Sequence, residues 1–327
     1  MFQFPKSLSL AQLPTPIQRL QRFSQNLEGP EIFLKRDDLT GTLLSGNKVR
    51  KLDFLLAEAQ QKKCDVVITC GGNQSNHART TAVAAAQLGM KCHLVLKNKA
   101  NLPPDGNLFI DRLVGASTQY ISAEDYKRVD EIMLDAVEQF KREGFAPYII
   151  PEGGSNALGT LGYVKAAEEI TRQLQKLKTR IHKIVVAVGS GGTYAGLLMG
   201  KYLFDLQAEI YGFNVCDDKN FFTNKIFELI NEIQKQHQLN VKIQKSDIKI
   251  IDGYVGKGYA LSSQAEIDVI KKLALLEGIV LDPVYTGKAM LGLVDKIKTG
   301  VFKQGENILF VHTGGVFGLF PKKSLFF

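Results

Sequence analysis

Cysteine is scarce in this chain of 327 residues: Cys64, Cys70, Cys92 and Cys216 are the whole supply, and none forms a CxxC pair. A disulfide-stapled scaffold is thereby excluded, as is a metal site built on paired Cys/His spacing. Thiols set within or beside apolar segments suit a reducing compartment, so the protein is expected to be cytoplasmic. No apolar run has the length of a membrane span, and the N-terminus lacks the apolar region of a secretory signal. Acidic residues are missing before Glu28, as in transit peptides, yet Leu13-Pro14-Thr15-Pro16-Ile17-Gln18 already reads as ordered domain sequence.

Positive charge is in surplus without being gathered. The formal charge of +8 comes from scattered lysines and arginines, with no basic stripe, terminal arm or aromatic-basic RNA signature. Neither nucleic acid nor a membrane is therefore an expected partner. The surplus reads as a solvated surface that helps attract small anions. A mean hydropathy of −0.05 and the chain length allow two domains, each with its own core.

What is present is an alternation of strand-like and helix-like segments, the pattern of parallel sheets with crossover helices on both faces. Strands are expected at Asp65 to Cys70, Lys91 to Leu96, Pro147 to Ile150, Lys183 to Val188, Glu209 to Phe213 and Ile308 to His312. Helical spacing of apolar residues runs through Val129, Ile132, Met133, Ala136, Val137 and Phe140, and through Val164, Ala167, Ile170, Leu174 and Leu177. The polar stretch from Cys216 to Lys249, helix-like at Phe221 to Ile233, breaks this rhythm and is expected to be a surface excursion.

Gly189-Ser190-Gly191-Gly192-Thr193 joins one such strand to a helix. Glycines there let several backbone N–H groups point at one anion near a helix N-terminus, with Ser190 and Thr193 as extra donors. A Walker loop would need lysine where Leu197 stands, and a dinucleotide fingerprint a small residue where Tyr194 stands. A phosphate loop of another kind and a plain Gly-rich turn both fit.

Lys48, in Ser45-Gly46-Asn47-Lys48, opens an amphipathic helix on which Leu52, Leu55, Leu56 and Ala59 share a face, with Asn47 placed as N-cap. The positive end of a helix lowers an amine's pKa, which suits a lysine that must be neutral to form a Schiff base. A lysine pointing into water fits the spacing equally. Gly71-Gly72-Asn73-Gln74-Ser75-Asn76 follows a strand and precedes an alanine-rich helix, so its amides could hold a carboxylate while Ser75 and Asn76 reach a reacting centre. Thr313-Gly314-Gly315 occupies the same topological position, and Gly153-Gly154-Ser155-Asn156 reads as a turn. His77 is taken as a packing residue. Tyr259 and Tyr285 are either stacking groups and acids beside a ligand or core lining.

These motifs, in the order Asn47 to Leu52, Gly71 to Asn76, Gly189 to Thr193, Asp282 to Lys288 and His312 to Gly315, resemble those of the D-cysteine desulfhydrases and related 1-aminocyclopropane-1-carboxylate deaminases. The similarity extends from about Leu13 almost to the C-terminus. The resemblance implies an α/β fold of the tryptophan-synthase-β type (fold type II) with two open, twisted, mostly parallel sheets, a larger domain of residues 1–50 and 159–327 and a smaller inserted one of 51–158. It implies pyridoxal 5'-phosphate as cofactor, no metal, and a homodimer. Lys48 would hold the cofactor covalently, and Gly189, Ser190, Gly191, Gly192 and Thr193 would cradle its phosphate with help from Lys51. Asn76 would bond the ring hydroxyl. Ser75 and the backbone amides of Gln74 and Asn76 would grip the substrate carboxylate. Tyr285 would lie against the ring, and Tyr259 would sit near the departing sulfur.

Relatives that open a cyclopropane ring look to carry a glutamate after the tyrosine and a leucine after the later histidine, where this chain has Thr286 and Thr313. A neutral hydroxyl facing the pyridine nitrogen leaves a shallower electron sink than a carboxylate does, which suits loss of a good leaving group. Asn73 stands where many relatives look to have an apolar residue, a departure that points to a variant substrate. The resemblance therefore implies β-elimination of D-cysteine to pyruvate, ammonia and hydrogen sulfide. The alternatives are 1-aminocyclopropane-1-carboxylate deamination, cysteate desulfonation, or a non-catalytic sensor that binds the cofactor or an amino acid.

Overall fold

The computed structural model describes residues 2–97 and 103–327. Its strands are β1 (Ile17–Arg19), β2 (Glu31–Lys35), β3 (Val66–Gly72), β4 (Lys91–Lys97), β5 (Ser117–Ile121), β6 (Pro147–Ile149), β7 (Lys183–Val188), β8 (Glu209–Asn214), β9 (Lys249–Ile251) and β10 (Asn307–Val311). Its α-helices are α1 (Gln21–Leu27), α2 (Lys48–Gln61), α3 (Asn76–Gln87), α4 (Gly106–Leu113), α5 (Val129–Arg142), α6 (Ala157–Leu177), α7 (Gly192–Leu203), α8 (Lys219–Gln236), α9 (Gln264–Glu277) and α10 (Thr286–Lys298).

The strands form two sheets, one ordered β1-β2-β10-β7-β8-β9 and the other β5-β4-β3-β6. All pairings are parallel except β1 with β2. The chain begins in the first sheet, builds the second through α2, and returns through α6, so these helices connect the two.

Side-chain alternation explains why the central strands read as unbroken apolar runs. In β7, Ile184, Val186 and Val188 enter a core covered by α6, α7 and α8, while Val185 and Ala187 enter the opposite core under α1, α9 and α10. In the second sheet, Cys92, Leu94 and Leu96 of β4 face α2, α3 and α4, whereas Val95 faces α5. A parallel strand buried on both faces has no polar side to show.

Two expectations are corrected. The stretch from Cys216 to Lys249 is no surface excursion: α8 buries Phe222, Ile226, Leu229, Ile230 and Ile233 against the first sheet's core. Its lysines and asparagines occupy the other face, and they mask a regular helical stripe when composition alone is read. Nor is the positive surplus all solvated, since Lys35, Lys51 and Lys288 are at most 1% exposed and Arg50 and Arg79 at most 2%.

Candidate active site

The loops at the carboxyl ends of β3, β7 and β10 meet the N-terminus of α2, the usual ligand position of open parallel sheets. Asn47 holds them together. It sits at the N-cap position of α2 with helical dihedrals, and its side chain makes no cap. Instead its amide donates to Thr193 Oγ1 at 2.9 Å, its Oδ1 accepts from Lys48 Nζ at 3.0 Å, and its backbone N–H donates to the Thr313 carbonyl at 3.1 Å. The expected capping bond is thus exchanged for ties to the loops after β7 and β10.

Lys48 is the first residue of α2, as its spacing implied. Burial lowers its pKa to about 8, Arg79 pushes the same way, and the Asp282 and Glu152 carboxylates oppose. Desolvation leads this shift, a cause invisible in the helix position from which the lowering was inferred. The amine lies 5.9 Å from the centroid of the Tyr285 ring.

These groups line a cleft of about 330 Å³ together with Ser75, Asn76, Gly189, Ser190, Gly191, Thr193, Tyr259, Tyr285 and Thr313. Ser75 caps α3, its Oγ accepting the Ala78 N–H at 3.1 Å. Asn76 Oδ1 accepts from Asn107 Nδ2 at 3.0 Å. The hydroxyls of Tyr259 and Tyr285 are hydrogen-bonded to each other, with their rings edge to face at 5.9 Å. Burial, with the neighbouring Tyr259, raises the Tyr285 pKa well above the ordinary tyrosine value, so this pair stays protonated and can donate.

Four of the expected site residues do not line the cleft. The Gln74 side chain turns away: its Nε2 donates to the Asp105 carbonyl at 2.9 Å and its Oε1 accepts the Asn107 N–H at 3.0 Å. Thr286 is fully buried, its hydroxyl donating to Asp282 Oδ1 at 2.7 Å. Of these two threonines, Thr313 is the one that faces the cleft. At the end of the loop after β7, Gly192 is the first residue of α7, and Lys51 lies just behind it. A Cβ on Gly192 would stand 2.7 Å from Lys51 Nζ, and one on Gly189 would stand 2.8 Å from Tyr285 Cε1, so this loop is packed to a tolerance only glycine meets.

Lys51 tests what the loop is for. Its ammonium donates to the Gly153 carbonyl at 3.0 Å and to Ser155 Oγ at 2.8 Å, and Ser155 Oγ is 2.8 Å from Ser190 Oγ. Among the described residues no carboxylate pairs with it, and burial together with Lys48 and Lys225 drives its pKa well below the ordinary value. The adjacent N-terminus of α7 carries no side-chain cap, and Gly191 takes φ +87° there. A buried amine whose charged form lacks an anion, beside an uncapped helix start, fits a phosphate group.

The sequence reading missed Lys97, Tyr126, Glu152, Cys216, Phe221 and Lys225 as cleft residues. Lys97 ends β4, at the carboxyl edge where ligands bind, and Glu152 directly precedes the Gly153-Gly154 turn. Those positions were the available signal. The others come from segments with no motif.

Comparison with known proteins agrees with this geometry. The family model described as pyridoxal-phosphate dependent enzyme matches residues 8–314. The bifunctional D-cysteine desulfhydrase/1-aminocyclopropane-1-carboxylate deaminase, mitochondrial, of Arabidopsis thaliana is 44% identical over 97% of this chain and 80% of that protein. The D-cysteine desulfhydrase of Klebsiella pneumoniae is 42% identical over 97% and 96%, and a putative 1-aminocyclopropane-1-carboxylate deaminase of Thermotoga maritima 41% over 96% and 98%. A crystal structure described as an ACC deaminase homologue superposes with a TM-score of 0.90 at 40% identity, covering 99% of this chain and 96% of that one. The processed threonine deaminase isoform 2 of Solanum lycopersicum, at 18% identity and a TM-score of 0.66 over 93% and 80%, shares the fold alone. The resemblance read from the motifs is borne out, and the chain belongs to the pyridoxal-phosphate dependent enzyme family.

Proposed function

We propose that the protein carries out β-elimination on D-cysteine, giving pyruvate, ammonia and hydrogen sulfide with consumption of one water. The observation that carries this reading is the meeting, in one cleft, of an amine whose pKa lies near 8 with a hydrogen-bonded pair of protonated tyrosines: a base and an acid face the same small volume. The relatives named D-cysteine desulfhydrase support the choice of substrate.

Lys48 would hold the cofactor covalently. The N–H groups of Gly189 to Thr193, with Lys51 behind them, would hold its phosphate, Asn76 its ring hydroxyl, and Thr313 would face its ring nitrogen. Thr286 then acts at one remove, through the Asp282 carboxylate that accepts the N–H groups of Val284, Tyr285 and Thr286 and so fixes the start of α10. When bound, pyridoxal phosphate supplies the electron sink that takes up the pair freed at the substrate's α-carbon. Ser75, with the backbone amides of Gln74 and Asn76, orients the substrate carboxylate. The Lys48 amine, when free, would be the base that removes the α-proton. Tyr285 would lie against the ring, and the Tyr259 hydroxyl would donate toward the departing sulfur and protonate the thiolate as the carbon-sulfur bond breaks.

The names of other relatives favour a second reading, deamination of 1-aminocyclopropane-1-carboxylate. Sulfide and pyruvate measured from D- and L-cysteine, against 2-oxobutanoate from 1-aminocyclopropane-1-carboxylate and sulfite from cysteate, separate these readings. Sulfide from D-cysteine at the highest kcat/KM is expected, and its absence sinks the proposal.

We also propose a cytoplasmic homodimer in which residues 51–158 form the smaller unit. The four free cysteines support a reducing compartment, and the second sheet lies wholly between residues 51 and 158. Light scattering on the purified protein tests the assembly.

A further inference from the structure

Lys288 belongs to the Asp282 to Lys288 motif, and the reaction leaves it without a part. It is fully buried on α10, one turn beyond Tyr285. All three of its ammonium donors have partners: the Val255 carbonyl at 2.6 Å, the Leu261 carbonyl at 2.9 Å and Glu266 Oε1 at 3.4 Å. An ammonium has no fourth hydrogen to give, so the group is saturated. Glu266 is 2% exposed and its other oxygen accepts the Ser263 N–H at 3.0 Å, within the capping box that starts α9.

The two carbonyls stand on either side of Tyr259. Residues 252–263 form no regular helix or strand, and Gly253, Gly256, Gly258 and Ala260 take positive φ there. No sheet or helix ladder fixes this segment, so its shape depends on what grips its backbone. One buried charge closes Val255 to Leu261 into a loop, Lys322 binds the Ala260 carbonyl, and Ser262 Oγ donates to the Pro283 carbonyl at 3.0 Å. Tyr285 is the N-cap residue of the helix that carries Lys288. Both tyrosines are thus referred to the same helix end, and their hydroxyls meet.

We propose that Lys288 is a positioning residue for the reaction: its ammonium, neutralised by Glu266, bends the 255–261 loop so that the Tyr259 hydroxyl reaches that of Tyr285. The inference rests on the acid role given to this pair above, while its structural half stands apart from any substrate. Charged hydrogen bonds to backbone in a dry site are strong, and removing their donor leaves two carbonyls and a carboxylate unpaired.

The test compares wild type, Lys288→Met, Tyr259→Phe and the double variant, all with pyridoxal phosphate bound. Amide hydrogen exchange by mass spectrometry, read without substrate, is expected to speed up about ten-fold or more within residues 252–263 in Lys288→Met and to stay unchanged in the body of α10. With D-cysteine, kcat should fall about ten-fold or more while KM moves less than about three-fold, and the double variant should match Tyr259→Phe within about two-fold. Unchanged exchange in the loop, acceleration spread through α9 and α10, or a loss that multiplies in full onto that of Tyr259→Phe would each overturn the assignment. If Lys288→Met does not fold, Glu266→Gln, which keeps both carbonyl bonds, replaces it and is expected to give a smaller change in the same segment. Failure of wild type to release sulfide defeats the proposed reaction alone, because the exchange arm still judges Lys288.

Discussion

Arg50 grips Asp37 with two parallel hydrogen bonds, Nε to Oδ2 at 2.9 Å and Nη2 to Oδ1 at 2.8 Å, in a site where Asp37 is fully buried and Arg50 is 2% exposed. Asp37 also accepts the Tyr163 hydroxyl, and its backbone carbonyl accepts the Gly46 N–H at 3.0 Å. One aspartate therefore braces both ends of the short segment that presents Lys48.

Arg50→Met should cost about 3–5 kcal/mol, because it strands a buried carboxylate whose partner is gone. The measurement is denaturant unfolding of the holoenzyme. Arg50 holds the Asp37 pKa down to about 2. Since the folded value is below the unfolded one, this contribution is complete above about pH 4 and is lost as pH falls toward 2. The stability gap between wild type and Arg50→Met should narrow over that acid window, and a gap independent of pH there would contradict the ion pair's role.

The Lys48 amine must lose its proton to capture an aldehyde. With a pKa near 8, the rate at which cofactor-free protein turns yellow on adding pyridoxal phosphate should climb as pH rises through 8 and level off above it. A rate that keeps climbing toward pH 10 would show an ordinary, solvated lysine. Lys48→Ala should stay folded and lose turnover by orders of magnitude.

For Lys51, holoenzyme and cofactor-free protein should respond with opposite signs. Lys51→Met removes a charge-assisted contact to phosphate, and cofactor affinity should drop about ten- to a hundred-fold. It also removes a buried amine that has no anion partner and whose charged form burial disfavours, so the cofactor-free protein should melt no lower than wild type. Paired thermal scans with and without pyridoxal phosphate check both halves.

Gly189→Ala would force a methyl to within 2.8 Å of the Tyr285 ring. The ring must move, and with it the hydroxyl bonded to Tyr259. A fall in kcat larger than the loss in thermal stability would accord with this displacement. Wild-type turnover in this variant would show that the ring's place is immaterial.

The inner strands of both sheets were legible because burial on both faces leaves nearly unbroken apolar runs, as in β3 and β7. β5, with Ser117, Thr118 and Gln119, was not, since an edge strand keeps polar residues and looks like loop. β2 escaped for a different reason: its five residues end in Lys35, and no local feature announces that this lysine is buried against Glu169 across 134 positions of chain.

The sequence by itself determined the alternation of strands and helices, the glycine turns at strand ends and the lysine at the head of α2, since these follow from periodicity and backbone sterics over a few residues. Only the tertiary structure decided which lysines lose water, which of Thr286 and Thr313 faces the cleft, and that Lys288 binds both sides of Tyr259. Desolvation and hydrogen bonding between distant segments depend on where the chain returns in space, and no short window of sequence carries that information.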